Sequence, residues 1–285
     1  MIVNPKALVV EVNNLYEDGI ARGHTTGWDN VDEFFTVKHG EFTVVTGMPS
    51  HGKSEWLDAL CVNLAIKHNY RIAMFSPENH PLEMHAKKII EKYMHKPFFG
   101  DRRMSHNEML TGLEQMNKNF AFIKPSETEF TPMHIINEAL PWLEQSIAQP
   151  RAMVIDPWNE MDHYRPPGLN ETEYISRILT ELRRAAREFK CHLFLVAHPM
   201  KMQKDKDGNY PVPRPYDISG SAHWYNKADN CIAIWRDVMN APEQTQVHIQ
   251  KVRFNSTGHP GMAQLLYDYR QASYIHEASF YRNLP

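Results

Sequence analysis

The sequence is poor in cysteine and has no long hydrophobic run. Its three cysteines, Cys61, Cys191 and Cys231, are odd in number and far apart, which excludes a disulfide framework and a zinc site of paired cysteines. We therefore expect a cytoplasmic location or another reducing intracellular compartment, such as an organelle matrix. No stretch approaches the roughly 18 apolar residues of a membrane span, so no membrane partner is predicted. The N-terminus also lacks the basic region and cleavage site of a secretory signal.

The sequence also lacks a strong charge of either sign, internal repeats and low-complexity segments. Its 31 basic and 34 acidic residues give a net charge of −3, which excludes a wholly basic nucleic-acid coat but allows a local basic groove or loop. The 42% hydrophobic and 23% charged residues are typical of a globular protein. The 285 residues are enough for two domains of about 150 residues or for one large α/β unit.

The first 22 residues differ from the rest of the chain. Between Lys6 and Ile20 apolar residues recur at helical spacing, which predicts an amphipathic arm that needs a partner surface. That surface is either the chain's own core or a neighbouring copy. We therefore expect an N-terminal linker arm, residues 1–22, and one domain, residues 23–285. The apolar stripe consists of Leu8, Val9, Val12, Leu15 and Tyr16.

From residue 23 onward short apolar runs alternate with amphipathic stretches. The runs predict strands at Phe42–Thr46, Arg71–Ser76, Phe120–Lys124, Ala152–Asp156, His192–Ala197, Asn230–Trp235, Gln246–Val252 and Gln264–Tyr269. The stretches predict helices at Lys53–Lys67, Pro81–His95, His106–Lys118, Thr131–Ala148 and Glu171–Phe189. This alternation predicts an α/β fold with a mostly parallel central sheet flanked by helices. Short connections between the last three strands predict an antiparallel C-terminal portion.

The most specific motif is a complete G-x-x-x-x-G-K-S between a predicted strand and a predicted helix. In such a P-loop, glycines let backbone N–H groups face phosphates, and the helix N-terminus adds a positive dipole end. Lys53 reaches the β- and γ-phosphates, and Ser54 offers its hydroxyl to Mg²⁺. The motif predicts a site for ATP or another NTP; the alternative is a chance glycine-rich turn. The expected nucleotide contacts are Gly47, Pro49, Ser50, His51, Gly52, Lys53 and Ser54.

Two carboxylates follow predicted strands. Asp156 ends an apolar run, where a P-loop protein needs a second residue to hold the metal, so Asp156 and Ser54 are the predicted Mg²⁺ ligands. Glu78 follows the strand that begins at Arg71 and is predicted to orient the attacking water. Either residue is alternatively a helix cap, Glu78 for the helix predicted to begin near Pro81.

The segment from Pro199 to Ala222 is the least regular of the chain. It has four prolines, two glycines and several basic residues, so we expect a long mobile loop. Long irregular loops inside compact domains are usually functional or disordered. Its acidic residues nearly balance its bases, so binding of a nucleic-acid strand here would need several copies acting together.

The motifs taken in order resemble the RecA-fold ring helicases. The resemblance is to the helicase halves of phage primase-helicases and to the mitochondrial Twinkle helicase, and more distantly to DnaB-type enzymes. It covers residues 25 to 274, nearly the whole chain, and implies a RecA-like P-loop NTPase fold. The segments that carry it are GMPSHGKS, Ser76–Glu78, MVIDPWN, Phe194–Pro199, Ser219–Ala222, Ala228–Asn230 and Lys251–Phe254.

The resemblance implies further catalytic residues. His198, at the end of a predicted strand, would sense the γ-phosphate; a histidine there is otherwise a packed or solvent-facing residue. Lys251 and Arg253 alternate along a strand and so share a face. The resemblance implies that the pair reaches across a subunit interface to the neighbour's ATP, where a guanidinium suits the transferring phosphoryl group. The alternative is an edge strand with charged residues that guard against aggregation.

Other contacts also follow from the resemblance. Arg236 and Tyr267 would sandwich the adenine, although Tyr267 requires a one-residue insertion relative to the phage pattern and is otherwise an ordinary half-buried strand residue. Asn226 stands where the family usually has Gln, and its shorter side chain reaches less far toward a phosphate or DNA. The implied contacts with single-stranded DNA are Lys201, Lys204, Ser219, Gly220 and Asn226.

Together these residues predict an Mg²⁺-dependent ATP hydrolase and DNA helicase. The resemblance implies a homo-oligomeric ring, a hexamer, which translocates on single-stranded DNA to unwind duplex. It also implies replisome partners such as primase and polymerase. A recombinase or recombination mediator of the broader RecA group, which forms filaments, is the alternative. A third class is a regulatory ATPase similar to KaiC.

Overall fold

The computed structural model describes residues 3–124, 130–146, 148–206, 208–220 and 222–276. Ser221, in the predicted Gly-Ser loop, and residues 277–285, assigned above to the main domain, lie outside the described residues. In the part described, no helix is long and apolar enough to cross a membrane.

The described strands form one mixed sheet. In chain order they are β1 Phe42–Thr46, β2 Arg71–Phe75, β3 Phe120–Phe122, β4 Arg151–Ile155, β5 His192–Val196, β6 Asn230–Trp235, β7 Gln244–Val252, β8 Gly261–Asp268 and β9 Ser273–His276. Their order across the sheet is β3-β2-β4-β5-β1-β6-β7-β8-β9. Pairing is parallel from β3 to β6 and antiparallel from β6 to β9. The predicted RecA-like α/β fold and its antiparallel C-terminal portion are therefore confirmed.

Helices cover both faces of this sheet. They are α1 Val9–Asp18, α2 Asp29–Asp32, α3 Lys53–His68, α4 Leu82–Met94, α5 His106–Asn119, α6 Pro132–Leu143, α7 Glu171–Glu188 and α8 His223–Lys227. One core packs α3, α4 and α5 on the sheet through residues such as Trp56 and Ile89. The other packs α6, α7 and α8 through residues such as Leu179 and Trp224. Capping boxes fix the starts of α5, at Ser105 and Glu108, and α7.

The parallel strands give this sheet two different ends. At the carboxyl end β1, β2, β4 and β5 lead into the P-loop, Glu78, Asp156 and His198, respectively. Parallel strands bring these side chains to a single crevice because all their carboxyl ends lie at one edge of the sheet. The amino ends lie at the other edge, roughly 17 Å away along β1.

Several predicted elements differ from the structure. β9 was not predicted, because four residues are too few for a clear alternating pattern, and it pairs with β8. The helix predicted at Thr131–Ala148 ends at Leu143. The loop after His198, predicted to be mobile, is instead anchored: Pro199 pairs with Ile218, and carbonyls of Tyr210 and Pro213 accept hydrogen bonds from side chains of β6 and β7.

The N-terminal arm forms a short 3₁₀ helix, Pro5–Leu8, followed by α1. Every described residue from Val3 to Ile20 is exposed, including the apolar stripe. The alternative in which the arm packs on its own core is therefore wrong for this structure. The amphipathic helix predicted between Lys6 and Ile20 is present, with its ends shifted by a few residues.

Candidate nucleotide site

The P-loop backbone requires glycine at its first and sixth positions. Gly47 has φ +155°, and a Cβ atom there would lie 2.4 Å from the carbonyl oxygen of Ile234, so a larger residue does not fit. Gly52 has φ +89° and is the N-cap of α3. Glycine adopts these angles without steric cost. The loop thus passes directly from β1 into the N-terminus of α3, where backbone N–H groups are available for an anion.

Lys53 is buried at the start of α3. Its Nζ donates a hydrogen bond to the carbonyl oxygen of Met48, 3.1 Å away, so the side chain folds back over the P-loop. Burial lowers the pKa of Lys53, and the nearby carboxylates of Asp156 and Glu78 act in the opposite direction. The ammonium thus lies buried at the helix N-terminus, where a P-loop lysine contacts phosphate oxygens.

Ser54 and Asp156 form the predicted metal site. The Ser54 hydroxyl interacts with the Asp156 carboxylate, although Ser54 lies in α3 and Asp156 follows β4, far away in the sequence. Asp156 is buried, and its Oδ1 has no hydrogen-bond partner among the described residues. Burial raises the pKa of Asp156 to about 6, with a further increase from Asp58 and Glu78. An unpartnered carboxylate oxygen beside a hydroxyl fits Mg²⁺, which prefers oxygen ligands.

His198 and Glu78 lie on either side of Asp156 in the strand order. The backbone N–H of His198 donates to Oδ1 of Asn159, 3.3 Å away. Burial, followed by the charge of Lys53, lowers the pKa of His198 to about 4, so its imidazole is neutral near pH 7. Glu78 is exposed. It is not a helix cap, because α4 begins after Pro81 without a side-chain cap; Asp156 caps no helix either.

Arg236 and Tyr267 both lie next to the P-loop. The Arg236 guanidinium donates to the carbonyl oxygen of Ser50, 2.7 Å away, and its backbone N–H donates to Nδ1 of His51. Burial and the charge of Arg236 lower the pKa of His51 to about 4. The Tyr267 hydroxyl donates to Glu55, 2.9 Å away, in the first turn of α3. Their predicted contact with adenine stays a prediction.

Lys251 and Arg253 lie at the opposite end of the sheet. Arg253 is 3.1 Å from the carboxylate of Asp229, the residue before β6. Lys251 donates to the carbonyl oxygens of Tyr225 and Ala228 at the end of α8. Lys251 lies in β7, whereas Arg253 follows the end of that strand, so their shared face stays a prediction. Neither side chain is near its own chain's P-loop, since the start of β6 pairs with the start of β1.

Comparison with known proteins identifies the family. The model of the DnaB-like helicase C terminal domain matches residues 23–274. The chain belongs to this DnaB-like helicase family. The Twinkle homolog protein, chloroplastic/mitochondrial, of Arabidopsis thaliana is 39% identical over 277 residues, which cover 93% of this chain and 38% of that protein. The chain thus spans 38% of the length of this relative.

Solved structures share the fold of this DnaB-like domain. The ATPase domain of G40P superimposes with a TM-score of 0.79 at 16% identity and covers 97% of this chain and 99% of that one. A DnaB-like replicative helicase studied for its interactions with primase gives 0.75 at 16% identity, over 97% of this chain and 67% of that one. The RadB recombinase gives 0.57 at 15% identity, over 87% and 97%. These likenesses confirm the RecA-like fold.

The predicted DNA contacts of the DnaB-like domain lie along the loop after His198. Lys201, Lys204, Ser219 and Asn226 are exposed, and Gly220 is half-buried. The Gly220 carbonyl accepts a hydrogen bond from the Thr172 hydroxyl at the start of α7, which fixes the end of the loop. The residues follow one continuous segment from the sensor position to α8. Their contact with DNA stays a prediction.

Two residues of this DnaB-like site were not predicted. Asn159 holds the backbone of His198, and Asp229 binds Arg253 and is 3.4 Å from Arg187. Both stand inside motifs noted above, MVIDPWN and Ala228–Asn230. Their positions inside these motifs were the available sequence signal for a role of either residue. The residues that each side chain contacts come from elements far away in the sequence and could not be predicted.

Proposed function

We propose that this chain is the ATP-hydrolysing motor of a ring-shaped DNA helicase in which each active site is completed by Arg253 of a neighbouring copy. One observation carries the proposal: Lys53 and Arg253 lie at opposite ends of the same sheet. Because β1 alone separates them by roughly 17 Å, Arg253 cannot reach a nucleotide on its own P-loop. A head-to-tail arrangement of copies would bring the two ends together, and a closed arrangement of that kind is a ring.

The chain's own residues supply the remaining groups. Lys53 and the P-loop amides would bind the phosphates, and Ser54 with Asp156 would hold Mg²⁺. When bound there, Mg²⁺ would neutralise phosphate oxygens. Glu78, exposed and near Lys53, would orient the attacking water. A neutral His198 would contact the γ-phosphate by hydrogen bonding without charge, and pass its presence to the loop that follows.

The loop after His198 would bind single-stranded DNA. Lys201 and Lys204 are exposed on it, and Lys204 lies 5.1 Å from the ring centre of Tyr210. The loop is hydrogen-bonded to side chains of β6 and β7, and β7 contains Lys251 and leads into Arg253. Movement at His198 would therefore shift DNA contacts in the same subunit. Each copy contributes only a few basic side chains, which supports binding of one DNA strand by several copies together.

The exposed arm would dock on a neighbouring copy. Its apolar side chains are exposed in the part of the chain that the structure describes, and burying them would stabilise the assembly by about 25 cal/mol per Å². We infer a hexameric ring, translocation on single-stranded DNA, duplex unwinding and contacts with primase and polymerase as properties of the whole protein. The primase named with one similar structure and the chloroplastic/mitochondrial name of the Arabidopsis relative support this reading.

The test mixes two inactive variants. Lys53→Ala lacks the P-loop lysine, and Arg253→Ala lacks the guanidinium proposed to reach the neighbour's nucleotide, the arginine finger. In a randomly mixed ring about a quarter of interfaces would join an intact P-loop to an intact finger, so mixing should restore part of the ATP hydrolysis. Arg177→Ala, an exposed arginine on α7, is the matched control and should keep full activity. Full turnover by Arg253→Ala alone, or no recovery in mixed rings of unchanged mass, would contradict the proposal.

A recombinase is the second candidate, supported by the fold shared with RadB. A forked-duplex unwinding assay with ATP and Mg²⁺, combined with electron microscopy, separates the two. Rings that unwind the fork support the helicase. Filaments that do not separate the strands support the recombinase.

A further inference from the structure

A cavity of about 470 Å³ lies at the amino end of the parallel strands, opposite to the nucleotide site. His39 precedes β1, Arg151 begins β4 and Lys190 precedes β5, so the cavity is formed where these strands enter the sheet. No residue of the P-loop lines it. Its lining residues are His24, His39, His68, Ala148, Gln149, Pro150, Arg151 and Lys190.

Three imidazoles are packed together in this cavity. The rings of His24 and His68 stack with centres 4.7 Å apart, and His39 meets His24 edge-on at 5.3 Å. The buried Tyr70 hydroxyl is 2.9 Å from Nδ1 of His24, and its ring stacks on His39. Nε2 of His68 donates to the carbonyl oxygen of Thr25, 3.1 Å away. These contacts hold the rings in a fixed arrangement.

The cations of the cavity have no acidic partner among the residues that the structure describes. Neither Arg151 nor Lys190 forms an ion pair with a carboxylate in the described part of the chain. Arg151 donates one hydrogen bond, from Nη1 to the carbonyl oxygen of Phe189, 3.3 Å away. By contrast, Arg187 on α7 pairs with Asp229. Arg151 is partly buried, and a partly buried cation is normally paired, so its missing counter-charge points to a ligand. Lys190 is an exposed cation that lines the same cavity.

The surroundings of His24 and His39 disfavour the charged forms of both imidazoles. Burial, then the charges of His68 and His39, lower the pKa of His24; burial, then Arg151, lower the pKa of His39. The negative charge of a bound anion would raise the pKa of His24 and His39, so binding would take up protons and strengthen as the pH falls. The titratable and charged groups that face these rings are His68, Tyr70, Arg151, Lys190 and, beneath His39, the buried His192.

We propose that this cavity binds a phosphate-rich anion. Two permanent cations and up to three imidazolium groups match a ligand with several negative charges, and a guanidinium forms paired hydrogen bonds with phosphate oxygens. The phosphates come either from a free oligophosphate or from the backbone of a nucleic-acid strand outside the ring channel. This proposal is independent of the proposed ATPase function, because the residues that line the cavity include no P-loop residue and neither Lys251 nor Arg253.

The test is calorimetric titration of the chain, with its P-loop filled by ADP, using inorganic pyrophosphate in one arm and a single-stranded oligodeoxynucleotide in the other. The double variant Arg151→Gln/Lys190→Gln should bind the ligand about tenfold more weakly or worse. The control Arg177→Gln/Lys118→Gln removes the same charge from exposed helix positions. If the double variant unfolds in urea too readily, the titration is made with the single variant Lys190→Gln, because Lys190 is exposed.

Two results together assign the site to free oligophosphate. The cavity variant binds pyrophosphate more weakly than the control variant, and the wild type binds it more tightly as the pH falls. Weaker binding of the oligonucleotide alone, relative to the control variant, assigns it to strand phosphates. Equal binding of both probes by the wild type, the cavity variant and the control overturns the proposal.

Discussion

The guanidinium of Arg253 lies 3.1 Å from the buried carboxylate of Asp229, at the end of the sheet opposite to Lys53. Asp229 also accepts the backbone N–H of Phe42, which ties the start of β1 to the start of β6. The same carboxylate therefore binds Arg253 and joins the starts of β1 and β6. In the proposed ring this end would face the nucleotide of the next copy.

Asp229→Ala should destabilise the chain strongly. It leaves the Phe42 N–H without its acceptor and removes the counter-charge of Arg253 and Arg187, a loss of about 3 kcal/mol. Urea unfolding measures the change. Arg253→Ala should cost less, because Asp229 keeps its other donors. Asp101→Ala, at an exposed turn, should change stability by less than about 0.5 kcal/mol. Equal stability of the Asp101 and Asp229 variants would contradict this account.

Binding of Mg²⁺ should weaken below pH 6. The pKa of Asp156 is raised to about 6, so below that pH the metal must displace a proton and its affinity should fall about tenfold per pH unit. His51 and His198, with pKa values of about 4, stay neutral between pH 5 and 7 and do not add to the slope. Electron paramagnetic resonance with Mn²⁺ measures the affinity. Asp156→Asn should bind weakly at every pH, and a flat wild-type profile would refute the prediction.

Tyr267 and Tyr269 can be distinguished as the adenine-stacking ring. Tyr267→Ala should raise KM for ATP about tenfold, since stacking of a base contributes about 1–3 kcal/mol. Tyr267→Phe keeps the ring, loses only the bond to Glu55 and should leave KM nearly unchanged. Tyr269, exposed and 5.0 Å from the Tyr267 ring centre, is the matched control. A larger effect from Tyr269→Ala would move the stacking role to that residue.

His198→Ala should separate ATP binding from the response to DNA. Removing the imidazole leaves the P-loop intact but removes the group between the γ-phosphate and the loop. We expect nucleotide affinity within a few-fold of the wild type and little stimulation of hydrolysis by single-stranded DNA. His134→Ala, on α6 away from the site, is the control. Stimulation that persists in His198→Ala would exclude the sensor role.

The sequence predicted most of this fold because its signals are local. The P-loop needs glycine at fixed positions between a strand and a helix, and the buried parallel strands are continuous apolar runs. It did not predict β9, whose four residues are stabilised by pairing with β8. It also predicted a mobile loop after His198, because the anchoring donors on Trp235 and Gln250 are remote in sequence.

The sequence by itself determined the phosphate-binding chemistry, the α/β class and the amphipathic arm, since each depends on residues a few positions apart. Only the tertiary structure decided which end of the sheet each group occupies. It placed Asp156 beside Ser54, Arg253 on Asp229 far from its own P-loop, and three histidines beside Arg151 and Lys190. These relationships depend on strand order, which long-range packing sets and no local pattern encodes.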